Sequence, residues 1–117
     1  MIEFQDEKDF VTYKADEVIF NQGELGSVMY GVVKGEVELR AGTKYLSTVQ
    51  ENEIFGEMVL LDSRERSATA VAVKDTTLAK VSKERFLECI KEDPSFALKV
   101  MGTLAGRLRV ESKMRSL

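Results

Sequence analysis

Histidine and tryptophan are absent from these 117 residues, and cysteine and proline occur once each. Without an imidazole, most general acid–base chemistry near neutral pH loses its usual carrier, and so do most zinc, iron or copper sites of small β-barrels. Metal-dependent catalysis is disfavoured accordingly, and no metal site is expected. Cys89, alone, cannot form an internal disulfide, and no second thiol stands ready to build a metal cluster. It lies in RFLECIKED at helical spacing from Phe86 and Ile90, which assigns it to core packing. Long apolar runs are missing too, so no membrane span is expected. The first ten residues, MIEFQDEKDF, are acidic and lack the charged-then-apolar pattern of a signal peptide, which points to the cytoplasm. Formal net charge is −3, with basic residues scattered apart from GRLRVESKMR near the end. A nucleic-acid surface needs a concentrated basic face, so no nucleic-acid partner is expected.

What is present has the balance of a globular protein, with 44% hydrophobic and 32% charged residues. The length suits one domain, residues 1–117, burying roughly 60 to 70% of its unfolded surface. Strands come first and helices last: a β-roll over about 10–82, then helices over about 83–115. Seven short segments, 10–13, 17–20, 27–33, 35–40, 44–50, 67–73 and 76–82, are β-branched or aromatic and often alternate. Val37 and Leu39 against Glu36, Glu38 and Arg40 are the clearest case. NQGELG, Gly35, AGTK and ENE separate them as turns. Seven strands at such intervals suggest a sandwich, jelly roll or barrel.

From Ser82 the period changes. Ser82 can cap a helix through KERFLECIKE, EDPS breaks it, and Pro94 stands near the first turn of another running from about residue 95 to 113. That last helix carries Val100, Met101, Leu104, Leu108 and Val110 on one apolar side. It serves either as a lid on its own roll or as a seam with a second copy in a homodimer; the stripe is too short for a heptad count to choose.

The stretch FGEMVLLDSRER, residues 55–66, raises the functional question. Gly56 permits a close backbone approach, and EMVLL has the composition of one helical turn, whose first amides would face the interior of the roll. Arg66 follows, ahead of the small residues Ser67, Ala68 and Ala70, which leave room inside. An arginine beside a cavity, opposite amide donors, has the parts of a phosphate clamp, because its planar fork donates two hydrogen bonds to one phosphate. The same arginine could instead pair at the surface with Glu57, Asp62 or Glu65. Spacing by itself does not choose.

VIFNQGELGSVMYGVVKGEVEL, residues 18–39, resembles the first half of the cyclic nucleotide-binding domain family, with Gly23, Gly26, Tyr30 and Gly35 at its turn and strand positions. The family is shared by bacterial catabolite activator proteins, regulatory subunits of cyclic-AMP-dependent protein kinase and cyclic-nucleotide-gated channels. FGEMVLLDSRERSATAVA, residues 55–72, resembles its phosphate-binding cassette, including the eight residues between Glu57 and Arg66. The resemblance implies a mainly β fold with C-terminal helices, a double-stranded β-helix (jelly roll) capped by helices. It implies cAMP or cGMP as ligand, no further cofactor, and a regulatory module that is not an enzyme. Residue by residue, it implies Arg66 on the exocyclic phosphate oxygens with help from the Met58 backbone and Ser67, Glu57 accepting from the ribose 2′-hydroxyl, and Gly56 keeping the backbone close to the sugar. In the final helix it implies Arg107 near the phosphate and its carboxylate partner, and Ser112 toward the base. Glu111 stands where the family often has threonine and leaves the choice of purine open. The sequence ends where an activator would continue into a DNA-binding unit, so the reading is a sensor, either stand-alone or excised, that signals by movement of the last helix. Two other readings have less support: a cupin-like isomerase or dioxygenase, which needs inward-facing histidines, and a ligand-free roll serving as a dimerisation scaffold, against which Glu57 and Arg66 argue.

Overall fold

Pleated segments with one apolar face must bury that face, and here they do so on two levels. The computed structural model describes residues 2–61 and 64–115, with side chains as far as Arg109. After a 3-10 turn at Phe4–Asp6 come β1 (Phe10–Tyr13), β2 (Val18–Phe20), β3 (Val28–Lys34), β4 (Val37–Ala41), β5 (Lys44–Val49) and β6 (Ile54–Phe55). A single helical turn, α1 (Met58–Leu61), is followed by β7 (Thr69–Ala72), β8 (Thr76–Ser82), α2 (Lys83–Glu92) and α3 (Ser95–Arg115). Each of the seven segments expected as strands overlaps one. The eighth, β6, is two residues long, too short for any alternation to reveal.

The strands form two antiparallel sheets, ordered β1-β8-β3-β6 and β2-β7-β4-β5, in the arrangement of a jelly roll. The pleat of β3 divides the core. Tyr30 and Val32 point between the sheets, among Phe20, Val37, Leu39, Phe55 and Leu78. Met29 points the other way, with Ile54 and Val81, onto Phe86 and Cys89 of α2, Phe96 and Val100 of α3, and Phe4.

Helix α2 begins where Ser82 Oγ accepts from the Arg85 amide at 3.1 Å, an N-cap that satisfies one orphan donor. Cys89 is fully buried on its inner face, and that burial pushes the thiol up from 9.0 to about 11. Arg85 reaches back to the N-terminal segment. Its Nε and Nη2 donate to the two oxygens of the buried Glu7 carboxylate at 2.7 and 2.8 Å, and its Nη1 donates to Glu92 at 2.9 Å.

Helix α3 packs through Phe96, Val100 and the half-buried Leu104. Met101 and Leu108, expected on that same side, are 58% and 61% exposed. At 3.6 residues per turn, positions 96, 100, 103 and 107 share one face, whereas 98, 101, 105 and 108 share another. The helix therefore has two apolar stripes where the sequence suggests one; the side chain of Val110, expected with them, lies outside the described residues. Among the described residues no helix is long and apolar enough to cross a membrane, and no cluster of three or more acidic, cysteine or histidine side chains could hold a metal ion.

Candidate functional site

Strand β6 ends at Phe55 and hands the chain to Gly56, whose φ of +75° suits a residue without Cβ. A Cβ there would also come within 2.8 Å of Arg66 Nη1. The turn thus delivers Glu57 and Met58 to the lining of a cleft of about 660 Å3 between the roll, α1 and α3. It is lined by Leu39, Leu46 and Val49 of the roll, by Gly56, Glu57, Met58, Arg66, Ser67 and Ala68 of the segment between β6 and β7, and by Thr103, Leu104 and Arg107 of α3. The volume is that of a small-molecule site, and the lining is apolar with a few convergent polar groups.

Strand β7 starts at Thr69, two residues later than alternation suggested, so Arg66 lies in the irregular stretch before it. Its backbone is tied across to the β2–β3 turn: the Arg66 amide donates to the Glu24 carbonyl and the Gly23 amide to the Arg66 carbonyl, both at 2.8 Å. Its side chain is buried, only 6% exposed, so it does not lie at the surface; Asp62, one of the partners that spacing left open, lies outside the described residues. Nη1 donates to the Gly56 carbonyl at 3.1 Å. The guanidinium carbon lies 4.2 Å from the centre of the Phe20 ring and 5.5 Å from that of Tyr30. Among the described residues no carboxylate comes within ion-pair distance of it. Burial pushes its pKa below the ordinary arginine value, and Tyr30, Glu24 and Tyr13 offset this in part. It remains a cation, since arginine keeps its proton in proteins.

Glu57 is also buried, and it is paired with α3: Arg107 Nη1 donates to its carboxylate, while Arg107 Nη2 donates to the Ile54 carbonyl at 2.7 Å. Among the charged residues that line the cleft, Glu57 and Arg107 pair with each other and Glu53 is exposed, which leaves Arg66 as the buried cation without a carboxylate at ion-pair distance among the described residues. Ser67 is exposed on the cleft wall. The structure thus brings Gly56, Glu57, Met58, Arg66, Ser67 and Arg107 together; the side chain of Ser112 lies outside the described residues. Sequence reasoning missed Phe20 and the Ile54 carbonyl. An aromatic ending a strand reads as core, and a main-chain carbonyl has no signature.

The model for the cyclic nucleotide-binding domain matches residues 10–93. The chain belongs to the cyclic nucleotide-binding domain family. It is 41% identical over 102 residues to the cyclic AMP receptor protein of Thermus thermophilus, covering 83% of this chain and 47% of that one. The crystal structure of Thermus thermophilus catabolite activator protein matches with a TM-score of 0.77 at 38% identity, over 92% of this chain and 52% of that chain. The EAL enzyme Bd1971 in its cGMP-bound form matches with a TM-score of 0.66 at 34% identity, over 86% and 28%; its cAMP-bound form matches at 0.64 and 32%, over 92% and 30%. This cyclic nucleotide-binding domain thus spans about half the length of the Thermus proteins.

Proposed function

We propose that the domain is a sensor for a purine cyclic nucleotide, cAMP or cGMP, and carries no catalytic step of its own. The observation that supports this most is Arg66: a buried cation in the lining of a cleft, with no carboxylate at ion-pair distance among the described residues. A buried unpaired charge is costly, and a cyclic phosphodiester, a monoanion with two exocyclic oxygens, would relieve that cost through the arginine fork. The Met58 amide and the Ser67 hydroxyl supply further donors. Glu57, an acceptor when ionised, takes the ribose 2′-hydroxyl and so discriminates against deoxyribose. Gly56 leaves room for the sugar. Arg107, on Glu57, carries the occupancy of the cleft to α3, and a ligand favouring one α3 position shifts its population. The family resemblance assigns Ser112 to the base, and a carboxylate such as that of Glu111 accepts equally from an adenine amino group or a guanine edge, so both purines stay in play. Its likeness to a cyclic AMP receptor protein and to the EAL enzyme Bd1971 in cGMP-bound and cAMP-bound forms agrees with this.

The outer stripe of α3, with Leu98, Met101 and Leu108 exposed, is the surface through which a second copy would pair. Light scattering with and without nucleotide tests that pairing. For the ligand itself the test is calorimetric titration with both nucleotides: 1:1 binding, lost in Arg66→Leu and retained in the surface control Lys44→Leu. Equal binding by both variants would reject the assignment of Arg66.

A further inference from the structure

We propose that Phe20 is a positioning residue for the phosphate clamp: its ring, together with the bare backbone of Gly26, holds the Arg66 guanidinium where an ion-paired arginine would have a carboxylate. The inference rests on the reading of Arg66 as the phosphate ligand. Phe20 is the last residue of β2 and is buried, 7% exposed. Its ring is itself fixed by two others. It stacks on Tyr30 with centroids 6.1 Å apart and planes at 25°, and lies 5.8 Å from Phe55; Tyr30 and Phe55 are stacked at 5.2 Å. Phe55 directly precedes Gly56, the residue whose carbonyl accepts from Arg66 Nη1, so the three rings and that carbonyl form one support. Gly26 closes it: a Cβ there would sit 2.5 Å from Arg66 Nε, 2.6 Å from Cζ and 2.7 Å from Nη2, so a side chain at this position would push the guanidinium from its place. Its amide is anchored on the Arg64 carbonyl at 2.8 Å.

The chemistry gives this support a purpose. A carboxylate steadies an arginine by occupying its N–H donors, and an incoming phosphate must then displace it. An aromatic ring attracts the cation through its quadrupole and takes no donor. Arg66 is thereby ordered in advance with one N–H on the Gly56 carbonyl and no donor on a carboxylate, which removes part of the ordering cost of binding. Arg85, in the same molecule, shows the other arrangement: its Nε, Nη1 and Nη2 all donate to carboxylates.

The experiment has a ligand-free arm and a ligand arm on the same variants. By NMR, the Arg66 Nε–H signal in the wild type should be sharp and displaced by the ring current of Phe20, should lose that displacement in Phe20→Leu and keep it in Phe20→Tyr. By calorimetry with cAMP and cGMP, Phe20→Leu should weaken binding roughly 5- to 30-fold, Phe20→Tyr should bind within about 2-fold of wild type, and Phe20→Leu should cost nothing more in an Arg66→Gln background. Gly26→Ala, which leaves the core untouched and pushes the guanidinium aside, should shift the same signal and reduce affinity, so the inference stays testable if Phe20→Leu does not fold. An Arg66 signal indifferent to Phe20→Leu and Gly26→Ala, or an equal loss of affinity from Phe20→Leu with and without Arg66, would overturn it. Failure of the wild type to bind either nucleotide would instead reject the functional reading, with the NMR arm still deciding whether Phe20 holds Arg66.

Discussion

Two arginines divide this molecule between structure and function. Arg85 closes the N-terminal segment against α2 and is saturated with negative charge: Glu7 bidentate, Glu92 on the remaining nitrogen, Glu88 at 3.5 Å. Those carboxylates push its pKa well above the ordinary value. Arg66, buried beside the cleft, is held by an aromatic ring and one carbonyl, and burial pushes its pKa the other way. The same side chain is thus an internal tie where its counter-charge is built in, and an anion receptor where that charge is left for a ligand to bring.

The largest effect that should separate them is on affinity. Arg66→Leu removes charge-assisted bonds of about 1.5–3 kcal/mol each, so binding of cAMP and cGMP should fall at least ~100-fold. Thermal unfolding of the same unliganded variant should be unchanged or slightly raised, because an uncompensated buried cation has gone. A large drop in melting temperature would make Arg66 a structural residue like Arg85. Next, Glu57→Gln should weaken binding about 10- to 100-fold, and titration with the 2′-deoxy nucleotide should reveal that discrimination against it has shrunk. Deoxyribose rejected as strongly as before would assign the 2′-hydroxyl to another group.

Arg85→Met reverses the pattern. It leaves the Glu7 carboxylate, 6% exposed, buried without its bidentate partner, which should cost about 2–3 kcal/mol. A melting curve displaced downward by roughly 10 °C, beside an unaltered nucleotide isotherm, is the expected pair of results. A change in affinity comparable with that of Arg66→Leu would erase the contrast.

The smallest effects are those of pH. Cys89 is raised in the folded state from 9.0 to about 11, and Tyr13 is raised above 10.0, chiefly by desolvation. For an acid whose folded pKa is raised, the native state holds the proton longer than the unfolded chain does. The stability this contributes is present below about pH 9 and is lost as pH climbs from about 9 to 11. Denaturant titrations across that window should show the decline, and Cys89→Ala should flatten part of it. Affinity, in contrast, should hold steady between about pH 6 and 9, since neither the phosphodiester nor arginine titrates there and the chain has no histidine.

How much of this was legible in the sequence depends on the kind of signal each feature leaves. Alternation at Val37 and Leu39 and the capping serine at position 82 are local and periodic, and the strands and α2 followed from them. The two residues of β6 carry no period, and Met101 and Leu108 were assigned to the wrong stripe because a helix apolar on two sides has no single moment to read. At the cleft, Gly56, Glu57 and Arg66 stood out because one short segment carries them. Arg107 could be named only through the family resemblance, fifty residues downstream of the carboxylate it binds. Phe20 was invisible as a partner of Arg66: its ring serves the core and the guanidinium at once, and only the fold brings β2 beside the loop before β7.

The most direct measurement is a crystal structure of the domain grown with cAMP or cGMP. The account requires Arg66 nitrogens within about 2.7–2.9 Å of the exocyclic phosphate oxygens, the Phe20 ring still against the guanidinium, and Glu57 on the ribose 2′-hydroxyl. A bound nucleotide whose phosphate lies away from Arg66, with that side chain turned out to solvent, would contradict it.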